Sequence, residues 1–197
     1  MSIELNLESL KPIVLQGDKG LSQKSSDRGN ASYYFSQTRI NSVGTISIDG
    51  QKFEVSGLSW LDREWSTSAL GENQDGWDWF SMQLDDGREI MLYQLRLKDG
   101  GIDPFSSGSF IEKDGTVKHL KVDDFDIVVL DTWKSSETGI TYPSKWKVTI
   151  PEQGLELTVT PAIPNQELLL SFNYWEGAVK VVGDGLSGKG YVELTGY

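Results

Sequence analysis

The sequence contains no cysteine and a single histidine, His119. Disulfides, thiolate metal sites and cysteine nucleophiles are thereby excluded. One histidine also fits poorly with a histidine-built metal centre or a Ser-His-Asp triad. Its setting, "TVKHLKVDD", is polar and marks a surface residue. No metal site is expected, and no cofactor. Long apolar runs are missing too, so no segment can span a bilayer as a helix. Basic residues are in deficit: 18 Lys and Arg stand against 29 Asp and Glu, a net charge of -11. A nucleic-acid partner needs a basic footprint and none is present, and an anionic membrane surface is disfavoured for the same reason. Helical periodicity is nearly absent, and the one weak helical candidate is "PNQELLLSF", residues 164–172. The N-terminus, "MSIELNLESLKPIVLQ", has no basic n-region and is no signal peptide as written.

What is present is alternation. Short runs with period two recur between turn signals, the pattern of an all-β sandwich or barrel. "IELNLESL" alternates Ile3, Leu5 and Leu7 with polar residues. "GTISIDGQKFEVSGLSW" reads as a hairpin about Asp49-Gly50, and two more turn at Asp85-Asp86-Gly87 and Asp114-Gly115. About a dozen strands are predicted over the 197 residues. Residues 16–31 and 134–143 read as loops. A break over residues 66–76 places a domain boundary near residue 70. "GDGLSGKG" has the look of a phosphate loop without its spacing, and is read as a hairpin loop.

Aromatic residues are concentrated rather than spread. Four of the seven tryptophans fall between Trp60 and Trp79. Within "SWLDREW", strand alternation puts Trp60, Asp62 and Glu64 on one face, with Leu61, Arg63 and Trp65 on the other. The bland reading is a strand near a barrel end with Arg63 paired to an acid. The functional reading puts Asp62 in an aromatic-lined pocket, where lost solvation raises its pKa and equips it to donate a proton. Glu64 would share that proton. "GWDWF" puts Trp77 and Trp79 on one face, as core or as cavity wall, and Tyr93 in "MLYQLR" adds a hydroxyl. Trp175 and Tyr191, in "YWEGAVKV" and "GYVELTGY", are further candidates for substrate contact, although ordinary barrel packing is the favoured reading of both segments.

"GNASYYFSQTRI", "GLSWLDREWSTSAL", "GWDWFSMQLDDGREIMLYQLR", "DPFSSGS" and "YWEGAVKVVGDGLSGKGYVELTGY" together resemble the lipocalin-like family that includes carotenoid 1,2-hydratase (hydroxyneurosporene synthase) and the AttH-like "predicted secreted hydrolases". The match is strongest to the AttH-like branch. The resemblance implies two lipocalin-type antiparallel β-barrels with a ligand site near their interface. It implies apolar, unsaturated carotenoid- or terpenoid-like substrates, chemistry without a redox cofactor, and a secreted or periplasmic setting. It also singles out Asp62 as the matching position for a proton donor, with an aromatic expected at Trp60. Family chains extend further, before Ile3. Residues 1–70 are therefore expected to form only the C-terminal strands of a first barrel, and residues 71–197 a complete second barrel. A preceding segment or a second copy of the chain would complete the first.

Three functions stay open on the sequence. One is cofactor-free acid catalysis on an apolar unsaturated molecule, such as hydration of a double bond or a cationic or pericyclic cyclisation. Another is a non-catalytic carrier of a lipophilic ligand. The last is a structural or assembly domain. No hydrolytic constellation is visible.

Overall fold

The computed structural model describes residues 1–66, 68, 70–170 and 173–197. Among these, the chain is all-β apart from two single-turn 3-10 helices. The strands are β1 (Ser2–Ser9), β2 (Val14–Leu15), β3 (Leu21–Gln23), β4 (Ala31–Ile48), β5 (Gln51–Ser66), β6 (Gln74–Leu84), β7 (Glu89–Leu97), β8 (Ser107–Ile111), β9 (Val117–Lys121), β10 (Asp126–Lys134), β11 (Thr141–Ile150), β12 (Leu155–Pro161), β13 (Glu167–Leu169), β14 (Asn173–Gly183) and β15 (Leu186–Thr195). Turn chemistry sets the hairpins. Asp49 and Gly50 both have positive φ, 49° and 81°, as the two-residue turn between β4 and β5 requires. Asp184 and Gly185 repeat the device between β14 and β15, so "GDGLSGKG" is a hairpin loop.

Two segments differ from expectation. "PNQELLLSF" is not helical where it is described: Glu167–Leu169 pair with Asn173–Trp175 as strand β13. The Glu167 carboxylate, bonded by Ser135, Thr138 and Tyr142, holds that segment against the β10–β11 connection. Ser171 and Phe172 lie outside the described residues. The expected loop at 16–31 contains β3, which pairs with the start of β4. In the break at 66–76, Thr67 and Ala69 lie outside the described residues.

Strand β4 is the spine of a five-stranded antiparallel sheet and pairs with β1, β2, β3 and β5. Strands β6 to β15 form a second antiparallel sheet in the order β10-β11-β12-β14-β15-β6-β7-β8-β9, with β13 on β14. This sheet curls round one apolar core built on Phe80, Met82, Leu92, Trp146, Trp175 and Val192. The single-turn helix Val122–Asp124 connects its outermost strands, β9 and β10. The architecture is lipocalin-like.

Strands β6 and β7 are buried on both faces, as strands covered on two sides must be. One face joins the core. The other, with Trp79, Ser81, Met91 and Tyr93, lies under β4 and β5 of the first sheet. This seam is polar, with Gln16, Ser36, Thr38, Glu89 and Ser109 all buried in it. Glu89 is fully buried and accepts from Lys11 Nζ at 2.7 Å and from Arg39 Nε. Arg39 Nη2 also donates to the Leu84 carbonyl at 2.8 Å. Two cations of the first sheet thus meet one carboxylate of the second.

Candidate functional site

The site is built where β5 faces β6 and β15 across the seam. The β4/β5 ladder slips between Gln37 and Ile40, a bulge that sets Thr38 and Arg39 opposite Trp60. On the near side of the bulge, Ser36 pairs with Asp62 and Tyr34 with Glu64, so all four share the face turned to the second sheet. Within the bulge, Arg39 turns to Glu89.

Asp62 is the focus of the polar contacts. Tyr34 Oη donates to Oδ2 at 2.6 Å, and Ser36 Oγ donates to Oδ1 at 2.6 Å. Trp60 Nε1 donates to Oδ1 at 2.7 Å. Behind these lie two further donors. Trp79 Nε1 donates to Tyr34 Oη at 3.2 Å, and Gln16 Nε2 donates to Ser36 Oγ at 2.9 Å. Ser109 Oγ donates to Gln16 Oε1 at 2.6 Å. An indole N–H only donates, which fixes the direction of the Trp60 bond and of the Trp79–Tyr34 branch. Three of the roughly four lone-pair positions of the carboxylate are filled, leaving the free one on Oδ2. Burial pushes the Asp62 carboxyl above the usual carboxylate range. The Ser36, Tyr34 and Trp60 donors pull it down and the Glu64 charge adds to the push, with burial prevailing.

Asp62 opens onto a half-open cleft of about 830 Å³. Leu58, Trp60, Trp79 and Tyr191 give it apolar walls, and Arg39, Lys189 and Glu193 give it charge. Trp60 and Trp79 meet edge to face, with ring centroids 6.5 Å apart. Glu193 and Asp85 are the other acids of the cleft. Burial raises the Glu193 pKa, Trp77 Nε1 at 2.8 Å lowers it, and the nearby carboxylates Glu176, Glu64 and Asp62 raise it further.

The other expected site residues are placed as follows. Glu64 makes no hydrogen bond to Asp62. It accepts from Ser32 Oγ at 2.5 Å and pairs with Lys24 at 3.0 Å, facing a smaller hollow of about 230 Å³. Trp77 and Tyr93 line that same hollow, and Trp79 stands between it and the cleft. Trp65 is 52% exposed on the outer face, beside Arg63 and Phe35. Trp175 is fully buried in the core of the second sheet, bonded to the Pro164 carbonyl. Neither lines the cleft. Tyr34, Ser36 and Gln16 complete the site and are not among the expected residues; Glu193, which alternation in "GYVELTGY" puts on the face of Tyr191, completes it too. Tyr34 and Ser36 sit at alternate positions in "SYYFSQ", a signal that becomes readable only once the pairing to β5 is known. His119 is exposed on β9 away from Asp62, and partial desolvation lowers its pKa. Among the described residues no group of three or more His, Cys, Asp or Glu side chains could hold a metal ion.

The model of the AttH-like family matches residues 1–197. The chain belongs to the AttH-like family. An AttH-like protein of Nitrosomonas europaea shares 35% identity, with a TM-score of 0.91 over 100% of this chain and 64% of that one. Kievitone hydratase of Nectria haematococca superposes with a TM-score of 0.74 over 97% of this chain and 60% of its own, at 17% identity. This AttH-like chain therefore spans less than two thirds of the length of either neighbour. The second likeness, at that identity, is one of fold. No curated protein matches the sequence.

Proposed function

We propose that this AttH-like protein binds an apolar, unsaturated small molecule in the Asp62 cleft and adds water across one of its double bonds by acid catalysis. The observation that carries the proposal is Asp62 itself: a desolvated carboxyl with raised pKa, held by three donors and opening on a tryptophan-walled cleft. The kinship in fold with a hydratase agrees with it.

In the first step the Oδ2 proton passes to one alkene carbon, and the π pair becomes the new C–H bond. The adjacent carbon becomes a cation, facing the indoles of Trp60 and Trp79, whose π faces attract positive charge. A water lone pair then forms the C–O bond. The excess proton returns to the Asp62 carboxylate or passes to Glu193. Net, alkene and water give alcohol, with no change of oxidation state overall and no cofactor consumed.

The test is incubation with isoprenoid alkenes in 18O-labelled water, followed by mass spectrometry of the alcohols. Asp62→Asn should lose about 10²–10⁴-fold in rate. Undiminished turnover in that variant would overturn the assignment. A carrier reading draws on the same three donors, because they also satisfy a structural carboxylate. It predicts equal ligand binding in wild type and Asp62→Asn, with no labelled alcohol from either.

A further inference from the structure

Three hollows lie along the seam, and they share residues. The Asp62 cleft meets the 230 Å³ hollow at Trp79. That hollow meets a third, of about 450 Å³, at Tyr93. The shared residues are consecutive in one cross-strand row. Glu176 pairs with Glu193, Glu193 with Trp79, Trp79 with Tyr93, Tyr93 with Ser107, and Ser107 with Lys121. Register puts all six on one face of the second sheet. The row crosses five ladders, about 24 Å at about 4.8 Å each. It runs from two carboxylates, through two aromatic rings, to the Ser107 hydroxyl and the Lys121 ammonium. Lys24 crosses it at the middle, with Nζ 4.1 Å from the Tyr93 ring centroid, and its methylene stem adds apolar wall.

The third chamber has its own chemistry. Ser22 Oγ lies 3.1 Å from Tyr93 Oη, and Ser107 Oγ donates to the same oxygen at 2.9 Å. Asp18, Asp123, His119 and Phe105 share its lining. The lining is mixed, two carboxylates against one ammonium: an anionic head is repelled by Asp18 and Asp123, and a cationic one is drawn to them but repelled by Lys121. A neutral group rich in hydroxyls can donate to Asp18, Asp123 and the Ser107 oxygen, accept from Ser22, and lay a C–H face on Phe105.

We propose that the three hollows are one ligand track, and that its ligand is an amphiphile with an apolar body beside Asp62 and a neutral, hydroxyl-rich head in the chamber of Ser22, Ser107, His119 and Asp123. This rests on the cleft being a ligand site, and it names the class of ligand.

Isothermal titration with octanol, dodecanol and dodecyl maltoside, the last below its micelle-forming concentration, tests it. Dodecyl maltoside should bind about tenfold tighter than dodecanol, as one or two net hydrogen bonds would give. Ser107→Trp, which fills the third chamber, should erase that preference. Asp123→Leu, an exposed and structurally mild change, should weaken the preference for the maltoside in the same direction. Equal affinity of dodecanol and dodecyl maltoside for the wild type, or a preference that survives both variants, would overturn the track. Failure of octanol to bind at all would sink the cleft reading itself, and this inference with it.

Discussion

Two influences act in opposite directions on the Asp62 carboxyl. Burial disfavours its charge, while hydrogen bonds from Ser36, Tyr34 and Trp60 favour it. Removing a donor to the charged form must raise the pKa, and removing a neighbouring like charge must lower it. Tyr34→Phe should therefore move the Asp62 titration to higher pH, and Glu64→Gln should move it lower. A pH series on protein carrying 13C-labelled aspartate reads both shifts, and movement in the same direction would contradict the geometry. If Asp62 gives up a proton in the rate-limiting step, hydration is fastest below its raised pKa and falls as pH rises through it. The falling limb moves up in Tyr34→Phe and down in Glu64→Gln. Tyr34→Phe also strands the Trp79 N–H in a buried place, at a cost of about 1–3 kcal/mol in urea denaturation.

Strand β5 shows how much of the element level can be read in sequence. Alternation in "SWLDREW" put Trp60, Asp62 and Glu64 on one face, and the ladder has them there. The Asp49–Gly50 turn was legible because only a few residue pairs accept two positive φ values. What alternation cannot say is which strand lies opposite. Glu64 shares the face of Asp62, yet it lies beyond Tyr34 and pairs with Lys24 instead of sharing a proton. Trp175 alternates as well as Trp79 does, but its face belongs to the core. Tyr34 and Glu193 reach the site through pairings 28 to 116 residues apart in sequence, which local patterns do not encode. Strand β15 carries a further element-level constraint. A Cβ on Gly190 would sit 2.1 Å from the Ser81 carbonyl oxygen of β6, which is backbone and cannot swing aside. Gly190→Ala should cost about 1–3 kcal/mol in thermal or urea unfolding. By spreading β15 from β6 it should also weaken ligand binding in the cleft between Trp79 and Glu193.

Across the whole molecule, the two sheets are joined through buried polar groups as well as through an apolar cluster. Lys11 and Arg39 converge on Glu89, with all three side chains buried or nearly so. Removing the carboxylate alone leaves two uncompensated buried cations. Glu89→Ala should cost about 3–5 kcal/mol in urea unfolding, while replacing all three with apolar residues of like volume should restore much of the loss. If Glu89→Ala unfolded like the wild type, the triad would not be what joins the sheets. The polar seam has one more consequence, which follows from the direction of its bonds. The branches behind Asp62 lead back to Trp79 and to the Gln16 amide, and neither group releases a proton at ordinary pH. If Asp62 protonates a bound alkene as proposed, nothing on that side can refill it. The proton has to come back from the cleft itself, shed by the water that adds to the cation. Each cycle would then close with the acid already reset before the product leaves, drawing no proton from outside.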